Sequence, residues 1–539
     1  MDFQNLTRLT SIDFRWNDIN IIKSQTFRNV RELKRLDLSR NLLQKVESDV
    51  FSHLHSLEYL SLSHNDLVEV HENAFYDLKS LTELDLSSNA LNLLSDFSFQ
   101  RLPSLQSLDL SFNQLNSLPD RVFEMLINLK TLSLNDNFLE VLQNGTLDKL
   151  SKLENLYLSD NNLQVSSNFL QTLTSLRVLD LSKNRLTSLD RNMFRSSKGL
   201  RILRLSGNDI SEIGPGTFRD LSRLELLDLS KNKLKVILPF MFSNLTKLEQ
   251  IFLQENGIVV IEPNGFQYLP RLLSLDLSKN KIRMVDVTSF PGLSRLETLD
   301  LSHNEIKIIQ SNTFRPLSKL ITLNLFCNQL TTIVSRQFEG LNDLLFLELY
   351  NNSIETLEKC SFCGLKKLRT LNIQFNKIKK ITKNTFLHQT DLRILWLSHN
   401  DLSRIGQAAV KSLSNIRHIS LSHNPLLQMG PCTLAAVSSL ESLVLERTKV
   451  DFNVELFGNK SFCEVTGGES FNFVLKNLNS LNLVSTGMKT IRVDAFRRVP
   501  SLLELDVRNN SLSKIPREFY QGHPGIVIHL FGNNMKTAY

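Results

Sequence analysis

Leucine and isoleucine recur along this chain in one spacing, L-x-x-L-x-L, closed after two further positions by asparagine. In "LETLDLSHN", "LLSLDLSKN" and "LRVLDLSKN" alternate leucines face one side, as period-2 strands require. The closing asparagines fall at Asn17, Asn41, Asn65, Asn89, Asn113, Asn137 and Asn161, at a constant step of 24. One step of 23 leads to Asn184, and the beat of 24 resumes through Asn208, Asn232, Asn256, Asn280, Asn304, Asn328, Asn352, Asn376, Asn400 and Asn424. Thr448, Thr486, Asn510 and Asn533 bring the count to about 22 units. One such strand cannot bury its apolar face alone, so the pattern predicts stacked coils around a continuous core.

Each coil must turn sharply as it leaves its strand, which strands backbone donors and acceptors inside. An asparagine amide offers both kinds of group and satisfies them coil after coil. Thr448 and Thr486 keep a hydroxyl, a weaker substitute. A second column lies six positions before each first leucine. It runs from Phe3 through Phe27, Phe51, Phe75, Phe99 and Phe123, resumes from Phe194 to Phe386, and ends with Phe496 and Phe519. It reads as a stacked aromatic spine on the side opposite the strands.

These residues make the chain resemble the leucine-rich-repeat family, in its 24-residue "typical" class with phenylalanine on the outer side. Within that family it looks like the ectodomains of Toll-like receptors, chaoptin and related extracellular proteins. The resemblance covers essentially the whole chain. It implies an α/β solenoid: a right-handed horseshoe with a parallel β-sheet on the concave face and irregular or short helical segments on the convex side. Residues 1–539 are therefore expected to form a single solenoid of about 22 repeats.

One long step, of 38, separates Thr448 from Thr486 and places an insertion loop near 449–473, marked by Gly467 and Gly468. Neither end carries the cysteine cluster that caps extracellular family members, so flanking segments are expected beyond both. Of the five cysteines, Cys432 and Cys463 are candidates for a disulfide, and Cys360 and Cys363 for thiols or a local disulfide. The lone C-x-x-C has no second ligand pair, so no metal site is expected there. N-x-[S/T] sequons stand at Asn5, Asn144, Asn244, Asn351, Asn459 and Asn509, candidates for glycosylation. With the repeat class they point to an extracellular or cell-surface location, with signal peptide and membrane anchor outside this chain.

Composition changes this little. A net charge of +7 over 539 residues is mild and carries no specific nucleic-acid signature. No apolar run is long enough to span a membrane. No G-x-S-x-G, phosphate-cradling glycine loop or H-E-x-x-H occurs, so neither an enzyme nor a cofactor is expected. The aspartates Asp13, Asp37, Asp85, Asp109, Asp180, Asp228, Asp276, Asp300 and Asp506 share the "LDLS" slot, better explained by the repeat than by acid–base chemistry. His399 and His423 hold one slot in consecutive coils, about 5 Å apart. Either they sense pH as a pair or they are solvated repeat positions. A basic run gathers Lys366, Lys367, Lys377, Lys379, Lys380 and Lys383 around one coil, as a solvated edge or an attraction for an acidic partner.

Residues between the inward leucines should point into the concave hollow. Large aromatics concentrate there from Phe326 to Trp396: Phe326, Phe346, Tyr350, Phe375 and Trp396 are the candidate ligand-binding residues. Phe326 and Tyr350 share a slot in adjacent coils, close enough to stack. The function expected is non-catalytic recognition, as the ligand-binding ectodomain of a cell-surface receptor of innate-immune or cell-adhesion type. Its partners would be protein or glycan ligands, with homo- or heterodimerisation. A secreted carrier or structural binding protein is the alternative.

Overall fold

The computed structural model describes residues 6–143, 145–164, 169–405, 409–429, 433, 437–450 and 474–536. The chain divides into two compact units, Met1–Ile258 with Gly265–Leu272, and Val259–Asn264 with Leu273–Tyr539. Each unit stacks coils that give one short strand apiece to a parallel sheet. Eleven strands run from Ser11–Asp13 to Gln250–Phe252 in the first unit, and eleven from Ser274–Asp276 to Val527–His529 in the second. Their 22 strands match the 22 positions counted along the sequence.

The register repeats the sequence spacing. Leu36 pairs with Leu60 across a step of 24, Leu156 with Leu179 across the step of 23, and Leu443 with Leu481 across the step of 38. The sheet thus steps directly over the insertion, of which residues 451–473 lie outside the described residues. So do Cys432 and Cys463, and the sequons at Asn5, Asn144 and Asn459.

Within a strand the central residue points inward and its neighbours outward. Leu299 is buried between half-buried Thr298 and Asp300. In that coil Leu296, Leu301, Ile306 and Phe314 join Leu299 at 0 % exposure. Each such side chain contributes about 1.5–3 kcal/mol of burial. Opposite the sheet the phenylalanines stack with nearly parallel rings, 6.1 Å apart for Phe27 and Phe51 and again for Phe338 and Phe362. Where Leu147 and Leu170 take the slot the spine is aliphatic but still buried. It closes with Phe496 edge-on to Phe519 at 5.0 Å.

The asparagine ladder closes the turns. Asn65 Nδ2 donates to the carbonyls of Leu38, Leu62 and Ser63, and its Oδ1 accepts from the Leu43 N–H at 3.0 Å. Asn352 repeats the set with Leu325, Leu349, Tyr350 and Leu330. Thr448 supplies one bond, from its hydroxyl to Leu445 O at 2.8 Å, which is why threonine is the poorer ladder residue.

Helix is confined to Val493–Phe496 and Arg517–Gly522 among the described residues, in keeping with the irregular or short helical segments expected away from the sheet. Turns and short strand pairs, such as Thr332–Ile333 with Thr356–Leu357, occupy the rest of that side.

Candidate functional site

The residue before each ladder asparagine adopts a left-handed backbone: φ is 52° at His303, 54° at Cys327, 53° at Asn351, 52° at Phe375, 53° at His399 and 54° at His423. Such a conformation costs a non-glycine residue about 1–2 kcal/mol, and the ladder bonds on either side hold it. Backbone bonds beyond the strands keep neighbouring coils in step here. Phe375 N–H donates to Ser398 O at 3.1 Å and His399 N–H to Ser422 O at 2.9 Å. The slot is therefore a fixed outward peg at the end of every strand, and its side chain is unconstrained by the core.

In the second unit these pegs and the position before them carry rings that join into one column. His303 lies edge-on to Phe326 at 5.1 Å, and Phe326 stacks on Tyr350 at 5.2 Å. Tyr350 meets Phe375 edge-on at 6.3 Å. Phe375 stacks on His399 at 4.1 Å, and His399 on His423 at 4.0 Å. Six rings in six consecutive coils form a continuous aromatic edge. Phe326 and Tyr350 stack as the sequence predicts; the joining of three histidines to them went unread. The signal was present: histidine, asparagine and aspartate tolerate a left-handed backbone, and "SHN" recurs at this slot.

Two predicted residues stand apart from the column. Phe346 opens its strand, between Thr322 and Thr370 of the adjacent coils, and is 40 % exposed. Trp396 ends its strand and leans on His418, ring centroids 4.4 Å apart. Phe375 is 47 % exposed. The five candidates thus share four coils but occupy three columns.

Three titratable groups in these coils, His399, His418 and Tyr350, are perturbed. Burial, then the charge of His423, then Arg447 push the His399 imidazole below its ordinary value, opposed by Glu446. Burial does the same to His418, whose Nε2 is buried with no hydrogen-bond partner. The Tyr350 phenol is raised by charge repulsion from Cys327, by a hydrogen bond with that thiol, and by burial. Asn351, the exposed sequon asparagine beside Tyr350, donates from Nδ2 to Cys327 Sγ at 3.1 Å.

At the other end of the same strands the surface is ionic. A cleft of about 590 Å³ holds Asp343 between Lys319 and Lys367, at 2.8 and 2.7 Å. Hydrogen bonds from Lys319, then Lys367, lower the Asp343 carboxyl to about 2. A second cleft, about 380 Å³, is lined by Arg369, Arg393 and Arg417, one slot in three consecutive coils, with Arg417 paired to Glu441 at 3.4 Å.

Other sequence candidates resolve into structure. In the "LDLS" slot Asp109 Oδ1 accepts both the N–H and the O–H of Ser111, at 2.9 and 2.6 Å, so this carboxylate fastens its own turn. Cys360 and Cys363 form a disulfide. Lys379 pairs with Glu355 at 3.6 Å. The sequons at Asn244, Asn351 and Asn509 are exposed. One cluster had no reading from sequence: His53, His55 and Asp77 bring a ring nitrogen each and a carboxylate oxygen within 4.8 Å of one another.

Among the described residues no helix is long and apolar enough to cross a membrane. A family model described as "Leucine rich repeat" matches residues 103–163 and 164–210, overlapping segments from 174 to 450, and 476–535. Another, described as "BspA type Leucine rich repeat region (6 copies)", matches 2–124. A search of curated proteins finds no sequence match. Among solved structures, the Toll–Spatzle complex of Drosophila, glycosylated form, is similar at 19% identity and TM-score 0.72, over 97% of this chain and 81% of that one. The TLR13–ssRNA13 complex is similar at 24% identity and TM-score 0.59, over 98% and 93%. The Leptospira interrogans protein LIC12759 is similar at 23% and 0.50, over 83% and 92%. These likenesses show the fold.

Proposed function

The chain belongs to the leucine-rich-repeat family, and on that premise we propose that it is a recognition module without catalysis, the ligand-binding ectodomain of a cell-surface receptor of innate-immune or cell-adhesion type. The observation that carries the reading is the ring column from His303 to His423, in which Phe375 is exposed, with Phe346 exposed apart from it. Core packing does not require rings at these pegs, and an exposed aromatic edge is a cost without a partner to cover it. Phe326, Phe346, Tyr350, Phe375 and Trp396 are its contact residues. Each aromatic buries roughly 150–250 Å² when covered, enough for two or three to anchor a protein or glycan ligand. A glycan at Asn351, beside Tyr350, would border that surface. The Cys360–Cys363 disulfide agrees with an extracellular location.

A second reading rests on a separate observation. Arg369, Arg393 and Arg417 outnumber Asp391 and Glu441 in the lining of one cleft, and a structural neighbour was solved with single-stranded RNA; an anionic ligand would sit at that end of the strands. One experiment separates the two. The chain is screened against a glycan array and a panel of extracellular proteins, then retested as Phe346→Thr/Tyr350→Ser and as Arg393→Ala/Arg417→Ala. Loss of the captured ligand in the first variant, with an unchanged circular dichroism melt, supports the ring edge. Loss confined to the second moves the site to the cleft.

A further inference from the structure

His53, His55 and Asp77 lie in the first unit, far along the sequence from the ring column. His53 and Asp77 each stand two positions after a spine phenylalanine, Phe51 and Phe75, so they hold one slot in neighbouring coils. The floor beneath is rigid: Phe51 and Phe75 stack at 6.3 Å, and Leu54, Leu57 and Leu78 are fully buried. His53 has φ 70°, a turn that carries its side chain outward. Its backbone N–H donates to Asp77 Oδ2 at 3.1 Å, which orients the carboxylate and leaves Oδ1 uncommitted. His55 Nδ1 hydrogen-bonds the Asp77 carbonyl at 3.2 Å, and the two imidazoles stand edge-on, 6.4 Å between centroids. A backbone carbonyl that accepts from one ring nitrogen is a usual outer support of an imidazole that ligates a metal through the other.

We propose that His53, His55 and Asp77 form a surface site for a divalent transition-metal ion, Zn²⁺ by donor set. Two imidazoles and one carboxylate suit zinc and its neighbours, whereas calcium and magnesium demand mostly oxygen. The donor atoms lie within 4.8 Å of one another. Zinc bonds of about 2.0–2.1 Å place tetrahedral donors about 3.4 Å apart. Side-chain rotation of His55, which is exposed, supplies the remaining closure without moving the backbone. Three protein ligands leave a coordination position open to water or to an incoming donor. Among the described residues no lysine or arginine forms an ion pair with Asp77. Lys79, in the His55 slot one coil on, is exposed, and solvent screens its charge. Elsewhere the two slots hold unrelated residues, such as Asn29 with Arg31 and Arg101 with Pro103, so the repeat does not require this combination.

The test is calorimetric titration of ZnCl₂ into the full chain, freed of any polyhistidine tag, at neutral pH, with Co²⁺ absorption as a second readout. One equivalent should bind in the micromolar range, with Co²⁺ giving visible bands of low coordination number. His55→Gln and Asp77→Asn should each weaken binding at least tenfold with unchanged circular dichroism, and His399→Gln should leave it intact. Absence of saturable one-to-one binding overturns the proposal. So does binding unaffected by His55→Gln and Asp77→Asn, or lost in His399→Gln, which would assign the ion to the stacked histidines.

Discussion

The first coils and the coils from His303 to His423 hang aromatic rings on the same kind of peg and treat them differently. Trp16 has the left-handed backbone of the peg, φ 58°, and is 73 % exposed, but the Arg40 guanidinium of the next coil lies over its ring at 4.3 Å. Tyr59 is not on a peg but opens its strand, and Arg35 covers it at 3.5 Å. Each early ring is a single aromatic capped by a cation. In the later coils ring covers ring, and the result is a continuous edge. One backbone device thus holds a lone cation-capped ring in one region and a continuous ring column in another. The difference lies wholly in side chains the core does not constrain.

The comparison breaks most severely if the shared scaffold fails. Phe314→Ala removes a ring buried between Phe290's coil and Phe338, and should cost about 3–5 kcal/mol in urea unfolding. Asn328→Ala deletes Nδ2 donation to Leu301, Leu325 and Phe326 carbonyls and orphans the Ile306 N–H. A loss of about 2–3 kcal/mol is expected, together with a disturbed ring column, because the Phe326 carbonyl is one of those acceptors. Tyr350→Ser/Phe375→Ser should leave the melt within about 1 kcal/mol of wild type while weakening a captured ligand about 30-fold, the signature of hot-spot rings.

Acid sharpens the contrast on a smaller scale. The folded protein depresses His399 and His418, so both are neutral in either state above the ordinary imidazole value of about 6.5. As pH falls through that value the unfolded chain takes up the protons first, and the stability these residues contribute is lost. The chain holds two tryptophans, so Trp396 fluorescence in a Trp16→Phe variant follows His418 directly, and it should titrate below the ordinary range. Smallest of all, Arg40→Ala should uncover Trp16 at a cost of about 0.5–1 kcal/mol, seen as easier acrylamide quenching in Trp396→Phe.

Much of this was legible in the sequence because burial leaves a periodic trace. The ladder asparagines, the spine phenylalanines and the steps of 23 and 38 all reappear as register and stacking. Phe326 beside Tyr350 was readable for the same reason: two rings in one slot, one coil apart. Backbone conformation leaves no such trace. The left-handed pegs bring Phe375, His399 and His423 into line with a slot one position earlier, a shift that spacing alone does not report. Phe346 and Trp396 look adjacent in sequence terms but take opposite ends of their strands. His53, His55 and Asp77 meet on the side away from the sheet, in slots beside the spine whose residues follow no repeat.

The claim that the later coils carry the recognition surface is tested most directly by hydroxyl-radical footprinting of the chain with and without the ligand its screen captures. Protection of Phe346, Phe375 and Trp396, with Trp16 and Tyr59 labelled as before, is the result expected. Unchanged labelling of the three, with protection elsewhere, would contradict it.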